Sequence, residues 1–427
     1  MADSWIEIPS DSDFSLANIP FGVFRPRGKK LDFRLGTRVG DWVLDLAALE
    51  REGYLGGLNL PSSTLSAESL NSFIALGKGI TKKVRTRLQE LLSRENSSES
   101  GLEKDLQTQK KAFFKADEVE MKVPVEVGDY TDFYSSKEHA TNVGSLFRDP
   151  KNALLPNWKH LPVAYHGRSS SLIVSEDSVY RPWGQYKNKD SDLPVFGPSR
   201  QIDFELETAF IIGKETQRGY PVPVDEAEDY IFGMVLLNDW SARDIQAWEY
   251  VPLGPFLGKN FASSVSPWVI TLEALSPFQT EAPPQDPPIL DYLKEKQRYS
   301  YDISLQIELK PEGDEALEIS KTKFQNLYWT QAQQLAHHTI NGCNIRVGDL
   351  YASGTISGSS RDSFGSLLEL CWKGTRPIRW PSGEERCFLE DGDRVIMRGW
   401  GEKDRSRVGF GELSGTILPS PVPSFRG

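Results

Sequence analysis

The sequence predicts a mainly β, α+β protein: a small N-terminal domain of strands and helices, then a large mixed β-sandwich or roll. Three observations predict it. Beyond residue 122 most apolar runs are short and turn-bounded, as strands are. Helical patterns there are too few to supply the crossovers of a doubly wound sheet. At 427 residues the chain has room for two or three domains of roughly 150 residues each.

The elements follow in order. The first ~20 residues are polar and rich in Asp and Ser, and are expected to wrap the surface before the fold begins. Phe21-Gly-Val-Phe and Phe33–Leu46 alternate as short strands, with a turn at Gly40-Asp41. Between Ser66 and Ser93 the pattern becomes helical. Ser66 or Ser69 can cap it, and Val84, Leu88, Leu91 and Leu92 recur at helical spacing. A polar loop over 94–104 follows, and the domain boundary is placed near residue 122, dividing the chain into 1–122 and 123–427. In the second part Leu172-Ile-Val, Phe204–Ile212, Gly233–Leu237, Trp268–Leu272, Ile303–Leu309 and Leu367–Trp372 read as strands. Two helices stand out. Ser241–Trp248 opens on Ser241-x-x-Asp244, a capping-box pattern. Thr330–Ile340 is capped by Thr330 and stopped near Gly342. There is no internal repeat.

Composition excludes several function classes. Net charge is −11, so the chain repels phosphate backbones and no nucleic-acid partner is expected. No apolar run approaches the ~20 residues that span a bilayer, so no membrane partner is expected either. Cys343, Cys371 and Cys387 form no C-x-x-C pair and are expected to be buried, reduced thiols. Neither Met1-Ala-Asp-Ser-Trp nor Ser424-Phe-Arg-Gly carries a targeting signal, which makes the cytoplasm the expected compartment.

Candidate chemistry begins with carboxylates in apolar surroundings. Glu205 and Glu207 lie two apart in a strand pattern and so share a face. Either that face is the solvent side of an edge strand, or it is interior and needs a counter-charge. A hard cation that prefers carboxylate oxygens would meet that need. Asp239, ending an apolar strand, and Asp132, in a polar loop, could add oxygens. His139 lies seven residues from Asp132, and histidine is the side chain best suited to proton transfer near neutral pH. A lone histidine is more often structural, so both readings stand at this point. Arg243 and Gln246 share a helix face, with Tyr250 and Lys259 close behind. That set could bind a small polyanion, or be a solvated helix face. His160, His166, His337 and His338 suggest no role. The glycine-rich run Ala352–Ser360 lacks the ending of a phosphate loop, so nucleotide binding is not expected.

Asp129–Gly144 (DYTDFYSSKEHATNVG), Leu161–Ser170 (LPVAYHGRSS), Ile231–Lys259 and Ala352–Ser359 (ASGTISGS) together resemble the fumarylacetoacetate hydrolase family. The resemblance extends over nearly the whole chain. It implies an SH3-like β-barrel domain before a β-sandwich roll, assembled as a homodimer. It implies hydrolysis of a carbon–carbon bond in a β-diketone acid, with acylpyruvate hydrolysis and oxo-acid decarboxylation as alternatives on the same scaffold. A catalytically dead binding protein is a more distant rival, and it would be expected to have lost His139, Glu369 or a metal carboxylate. The implied cofactor is Ca²⁺ or Mg²⁺ (calcium or magnesium), held by Asp132, Glu205, Glu207 and Asp239, with Lys259 and Ser263 as further contacts. Ala262-Ser263 stands where the family is expected to have Gly-Thr. His139 corresponds to the base and Glu369 to its orienting acid. Arg243 and Lys259 correspond to charge stabilisers, joined by Gln246. Tyr134, Arg148, Tyr165, Gln246, Tyr250 and Thr355 correspond to substrate-binding positions.

Overall fold

A computed structural model describes residues 3–28, 32–96, 101–188, 193–404 and 406–421. The terminal Ser424–Gly427 and part of the 94–104 loop lie outside the described residues.

The N-terminal part is a five-stranded antiparallel sheet curled into a half-barrel. Its order is Phe113–Lys115, Trp42–Asp45, Arg34–Val39, Gly22–Pro26, Val119–Met121. The turn expected at Gly40-Asp41 joins Val39 to its partner Trp42, with Gly40 at φ +54°. Helices Leu46–Arg51 and Lys78–Leu92 cover the sheet. The single helix expected over Ser66–Ser93 is instead two, Asn71–Ile74 and Lys78–Leu92. Gly77, at φ +83°, breaks the run, and neither Ser66 nor Ser69 caps. The polar N-terminal stretch does wrap the molecule, but Ile6, Phe14 and Leu16 are buried beneath it.

The rest is built on two large facing sheets, with four two-stranded sheets beside them among the described residues. The larger is mixed, ordered Ala164–His166, Tyr130–Phe133, Leu350–Ala352, Leu206–Ile212, Ile231–Asp239, Ser263–Val265, Leu172–Val174. The second runs Leu317–Lys323, Ser304–Lys310, Arg394–Lys403, Ser406–Leu418, Val179–Tyr180. Leu206, Phe210, Met234 and Leu236 pack with Leu305, Ile307, Met397 and Phe410 of the second sheet. Ala209, Ile211, Val235 and Leu237 instead join the N-terminal core with Phe21 and Phe73. Covered on both faces, Ile231–Asp239 is buried at every position, and so reads as a continuous apolar run.

Three local expectations change. Leu367–Leu370 is a helix rather than a strand. Leu and Glu are good helix formers without β-branching, and the Ser366 hydroxyl accepts from the Glu369 N–H. The helix expected at Ser241 starts at Arg243, and no side chain caps it. Asp244 turns outward to accept from Ser199 Oγ at 2.6 Å and Arg200 N at 2.8 Å. Of Trp268–Leu272 only Ile270–Thr271 is strand, because the Thr271 side chain caps a helix from Leu272. The cysteines are unpaired, but Cys343 is exposed and only Cys371 is buried.

Candidate active site

Most of the site residues singled out in the sequence line one cavity of about 480 Å³, and Asp239, Ser263 and Glu369 stand behind its wall, bonded to lining residues or to one another. Strand Tyr130–Phe133 runs parallel to Leu350–Ala352 and sets Asp132 opposite Ala352. Asp132 is therefore on a buried strand, not in a loop. Leu206–Ile212 has neighbours on both sides, so Glu207 is not on an edge strand. Glu205, just before that strand, and Glu207 both line the cavity. Asp239 ends the adjacent strand.

Charges in the wall alternate. Asp203 Oδ2 accepts from Arg243 Nε at 2.8 Å, and Arg243 Nη2 donates to Glu205 Oε1 at 2.7 Å. Lys259 Nζ then donates to Glu205 Oε2 at 2.5 Å and to Asp239 Oδ2 at 2.6 Å. Burial pushes the Glu205 carboxyl up, yet Lys259, Arg243 and His139 together hold it below its ordinary value. Burial pulls Lys259 down, but Asp239 and Glu205 outweigh it and the ammonium is held above its usual range. Having no lone pair, that ammonium is a counter-charge here, and both oxygens of Glu205 are taken by cations.

The alternation stops at Glu207 and Asp132. Carboxylate oxygens of Asp132, Glu207 and Asp239 lie within 4.8 Å of one another, all buried. Asp132 Oδ1 and Glu207 Oε1 have no hydrogen-bond partner among the described residues. Burial, and then the neighbouring acids, raise both carboxyls well above their ordinary values. Burial without a partner is costly, and like charges make it worse. A hard divalent cation satisfies the orphaned oxygens and the charge together, so these residues fit one. Ser263 Oγ and Tyr165 OH steady Asp239, each at 3.0 Å.

Opposite the acids stands a histidine–carboxylate pair. The Ser136 hydroxyl caps helix Lys137–Phe147 by accepting from His139 N, which fixes the His139 backbone. His139 Nδ1 meets Glu369 Oε2 at 2.7 Å, with both side chains buried. Glu369 also accepts from Asn142 at 2.9 Å, Ser357 at 2.9 Å and Ser366 at 2.8 Å. Burial pushes its carboxyl up, but His139 and these donors outweigh burial and keep it below the usual range. An acid with four donors stays ionised, which places the proton on Nδ1 and leaves Nε2 for the cavity. The Tyr134 ring lies edge-on to His139 at 5.2 Å.

Tyr134, Arg148, Tyr165, Gln246, Tyr250 and Thr355 all line the same cavity. Arg243 Nη1 donates to Gln246 Oε1 at 3.1 Å, as their spacing on one helix face suggests. Arg148 Nη2 is anchored on the Ala153 carbonyl at 2.7 Å, and Thr355 Oγ1 is buried without a hydrogen-bond partner among the described residues. In the glycine-rich run, Gly354 N donates to Glu207 Oε2 at 2.9 Å. Gly354 has φ +77°, and a Cβ there would collide with the Phe133 carbonyl. His337 and His338 lie apart from the cavity, bonded to Tyr292 and to Tyr351 and Thr131.

Asn142, Ser357, Ser366 and Asp203 went unnoticed in the sequence. Asp203 had a signal: Asp203, Glu205 and Glu207 are three acids at alternate positions, one step longer than the pair first noted. The serines have none, since their contact with Glu369 is made only by the fold.

Comparison with known proteins agrees over the whole chain. The family described as "Fumarylacetoacetate (FAA) hydrolase C-terminal" matches residues 129–418, and "Fumarylacetoacetase N-terminal" matches 17–124. The chain is 50% identical to the fumarylacetoacetase of Arabidopsis thaliana over 98% of this chain and 99% of that protein. It is also 50% identical to the fumarylacetoacetase of Homo sapiens, over 99% of this chain and 100% of that protein. A fumarylacetoacetate hydrolase from psychrophilic Exiguobacterium antarcticum shares the fold, with a TM-score of 0.53 at 16% identity, over 94% of this chain and 99% of that one. With both parts matched and half of all positions identical to relatives of equal length, the chain belongs to the fumarylacetoacetate hydrolase family.

Proposed function

We infer that the chain is a fumarylacetoacetase, which hydrolyses 4-fumarylacetoacetate to fumarate and acetoacetate in the breakdown of tyrosine and phenylalanine. One observation carries the site assignment: a buried His139–Glu369 pair and a buried acidic triad line or back one cavity.

The reaction needs a deprotonated water, a tolerated oxyanion and a stabilised leaving enolate. His139 Nε2 takes a water proton while Glu369 holds Nδ1–H and supports the imidazolium that forms. The hydroxide bonds to the fumaryl ketone carbon, the bond from that carbon to the methylene breaks, and its electron pair passes into the acetoacetate enolate. The proton taken from water is then delivered to the former methylene carbon, which becomes the methyl group of acetoacetate. Arg243 and Lys259, which line the cavity, would steady the developing anions with fixed positive charge, and Gln246 would add an amide. Arg148, Tyr134, Tyr165, Tyr250 and Thr355 orient the carboxylates and carbonyls of the substrate. Asp132, Glu207 and Asp239 would hold Ca²⁺ or Mg²⁺, with Glu205 beside them and Ser263 behind Asp239. The chemistry such a cation supplies is polarisation of carbonyl oxygens and neutralisation of enolate charge.

This reading assigns residues 1–122 to the N-terminal domain and 123–427 to the catalytic one, and places a homodimer in the cytoplasm. Among the described residues no helix is long and apolar enough to cross a membrane. Sedimentation equilibrium checks the dimer.

The test is loss of ultraviolet absorbance with fumarylacetoacetate, run beside a short acylpyruvate, with and without a chelator. Chelator-sensitive cleavage of fumarylacetoacetate is expected, and Glu207→Gln should need far more cation for the same rate. Cleavage of the acylpyruvate alone would move the chain to a sister activity.

A further inference from the structure

One buried acid takes no part in the chemistry above. Asp203 is fully buried, yet its two oxygens accept four N–H donors. Oδ1 accepts from Phe204 N at 2.8 Å and Leu367 N at 2.7 Å. Oδ2 accepts from Leu368 N at 3.0 Å and from Arg243 Nε at 2.8 Å. Leu367 and Leu368 open the four-residue helix that carries Glu369. One carboxylate thus grips the backbone beside the acid that orients His139 and also the guanidinium that faces the substrate cavity. Those two groups lie on different elements, 126 residues apart between Arg243 and Glu369 in sequence, and Asp203 bonds to both of their segments.

We propose that Asp203 is a positioning residue that fixes the general-base pair and the Arg243 charge stabiliser in one mutual geometry. The proposal rests on the hydrolase reading of the cavity. Its physical basis is the acceptor count. A carboxylate can receive all four donors, but an amide of the same shape offers one acceptor oxygen and turns an NH₂ toward N–H groups. In Asp203→Asn the Glu369 helix loses one of its two bonds whichever way the amide turns, and with the amide oxygen in the Oδ1 position Arg243 loses its bond as well. Shifts of about 1 Å at a reacting centre cost about 10²-fold in rate.

The buried Asp393 provides a control. It bonds Arg386 at 2.9 and 3.2 Å and accepts from Glu390 N at 2.8 Å, in a network that includes no residue lining the cavity. Asp393→Asn should lose stability but keep its turnover per folded molecule.

The experiment measures kcat and KM for wild type, Asp203→Asn, Glu369→Gln, the Asp203→Asn/Glu369→Gln double variant and Asp393→Asn, each corrected for folded fraction. Asp203→Asn should lose about 10²-fold in kcat with a smaller change in KM. In the Glu369→Gln background the same change should cost much less, because the pair is already disabled. A kcat within about threefold of wild type, or costs that multiply fully in the double variant, would overturn the proposal. A second readout needs no substrate and no turnover: the downfield proton signal of the His139–Glu369 hydrogen bond. It should shift or broaden in Asp203→Asn and stay in place in Asp393→Asn; an unchanged signal in folded Asp203→Asn also overturns the proposal. Wild-type failure to cleave fumarylacetoacetate would instead count against the hydrolase reading, and the proton signal would still judge Asp203.

Discussion

His139 depends on its surroundings for both its tautomer and its place. Its Nδ1 is bound to an acid that already has three other donors, so the imidazole has one orientation that leaves Nε2 for the cavity. His139→Ala should keep the fold and cation binding while turnover falls by about 10²–10⁴-fold. Parallel measurement of kcat and of the cation-dependent rise in melting temperature checks this. Wild-type-like kcat would remove His139 from the role of base, and loss of the cation effect would mean that it holds the acidic wall instead. The acids show why composition alone could not rank them. Glu205 and Glu207 differ by two positions, yet one is bound by the Arg243 and Lys259 side chains and the other ends in an oxygen with no partner among the described residues.

Helix Gln331–Thr339 shows what local patterns can and cannot fix. Its cap, Thr330, and its end near Gly342 were legible because both signals lie within a turn of the helix, and the structure adds Gln333 to complete a capping box. The same logic failed at Ser241, where Asp244 found better donors in Ser199 and Arg200, over forty positions away. The central strands were legible from apolar runs, and the acids from their misfit within those runs. The Glu369 pairing was legible only through resemblance, since no spacing rule joins residues 230 positions apart. On the same helix, burial and then the charge of His166 lower the His338 pKa from 6.5 to about 4. A histidine depressed in the folded state binds its proton more tightly in the unfolded chain. Its stabilising effect is therefore complete above the unfolded value and is lost as pH falls from about 6.5 through about 4. The loss is at most about 3 kcal/mol. Urea midpoints across that window should fall more steeply for wild type than for His338→Gln; parallel curves would place the titration elsewhere.

The molecule is layered: N-terminal half-barrel and helices, large mixed sheet, second sheet. Ile231–Asp239 contributes to both cores and ends on Asp239, so both cores position the cavity wall. The N-terminal segment seals the far side. Phe14 is buried against Trp268 and lies under the Arg38 guanidinium, 4.1 Å from its ring centroid. Phe14→Ala should cost about 3–5 kcal/mol in urea unfolding with kcat per folded molecule unchanged. A cost under about 1 kcal/mol would mean that the segment packs loosely. Asp13 Oδ1 accepts from Arg407 Nε at 2.6 Å, its Oδ2 accepts from Gly411 N at 3.1 Å, and Asn18 Nδ2 donates to the Gly409 carbonyl at 2.8 Å. The first of these contacts spans 394 positions. During synthesis at about 5–20 residues per second, the segment emerges early and then waits roughly 20–80 s for its partners. The contacts of Asp13 and Asn18 are thus begun early and completed late. Until Trp268 and the strand carrying Val408 follow, Phe14 is only partly covered, and through it the newborn chain is exposed to chaperones, proteases and its own neighbours.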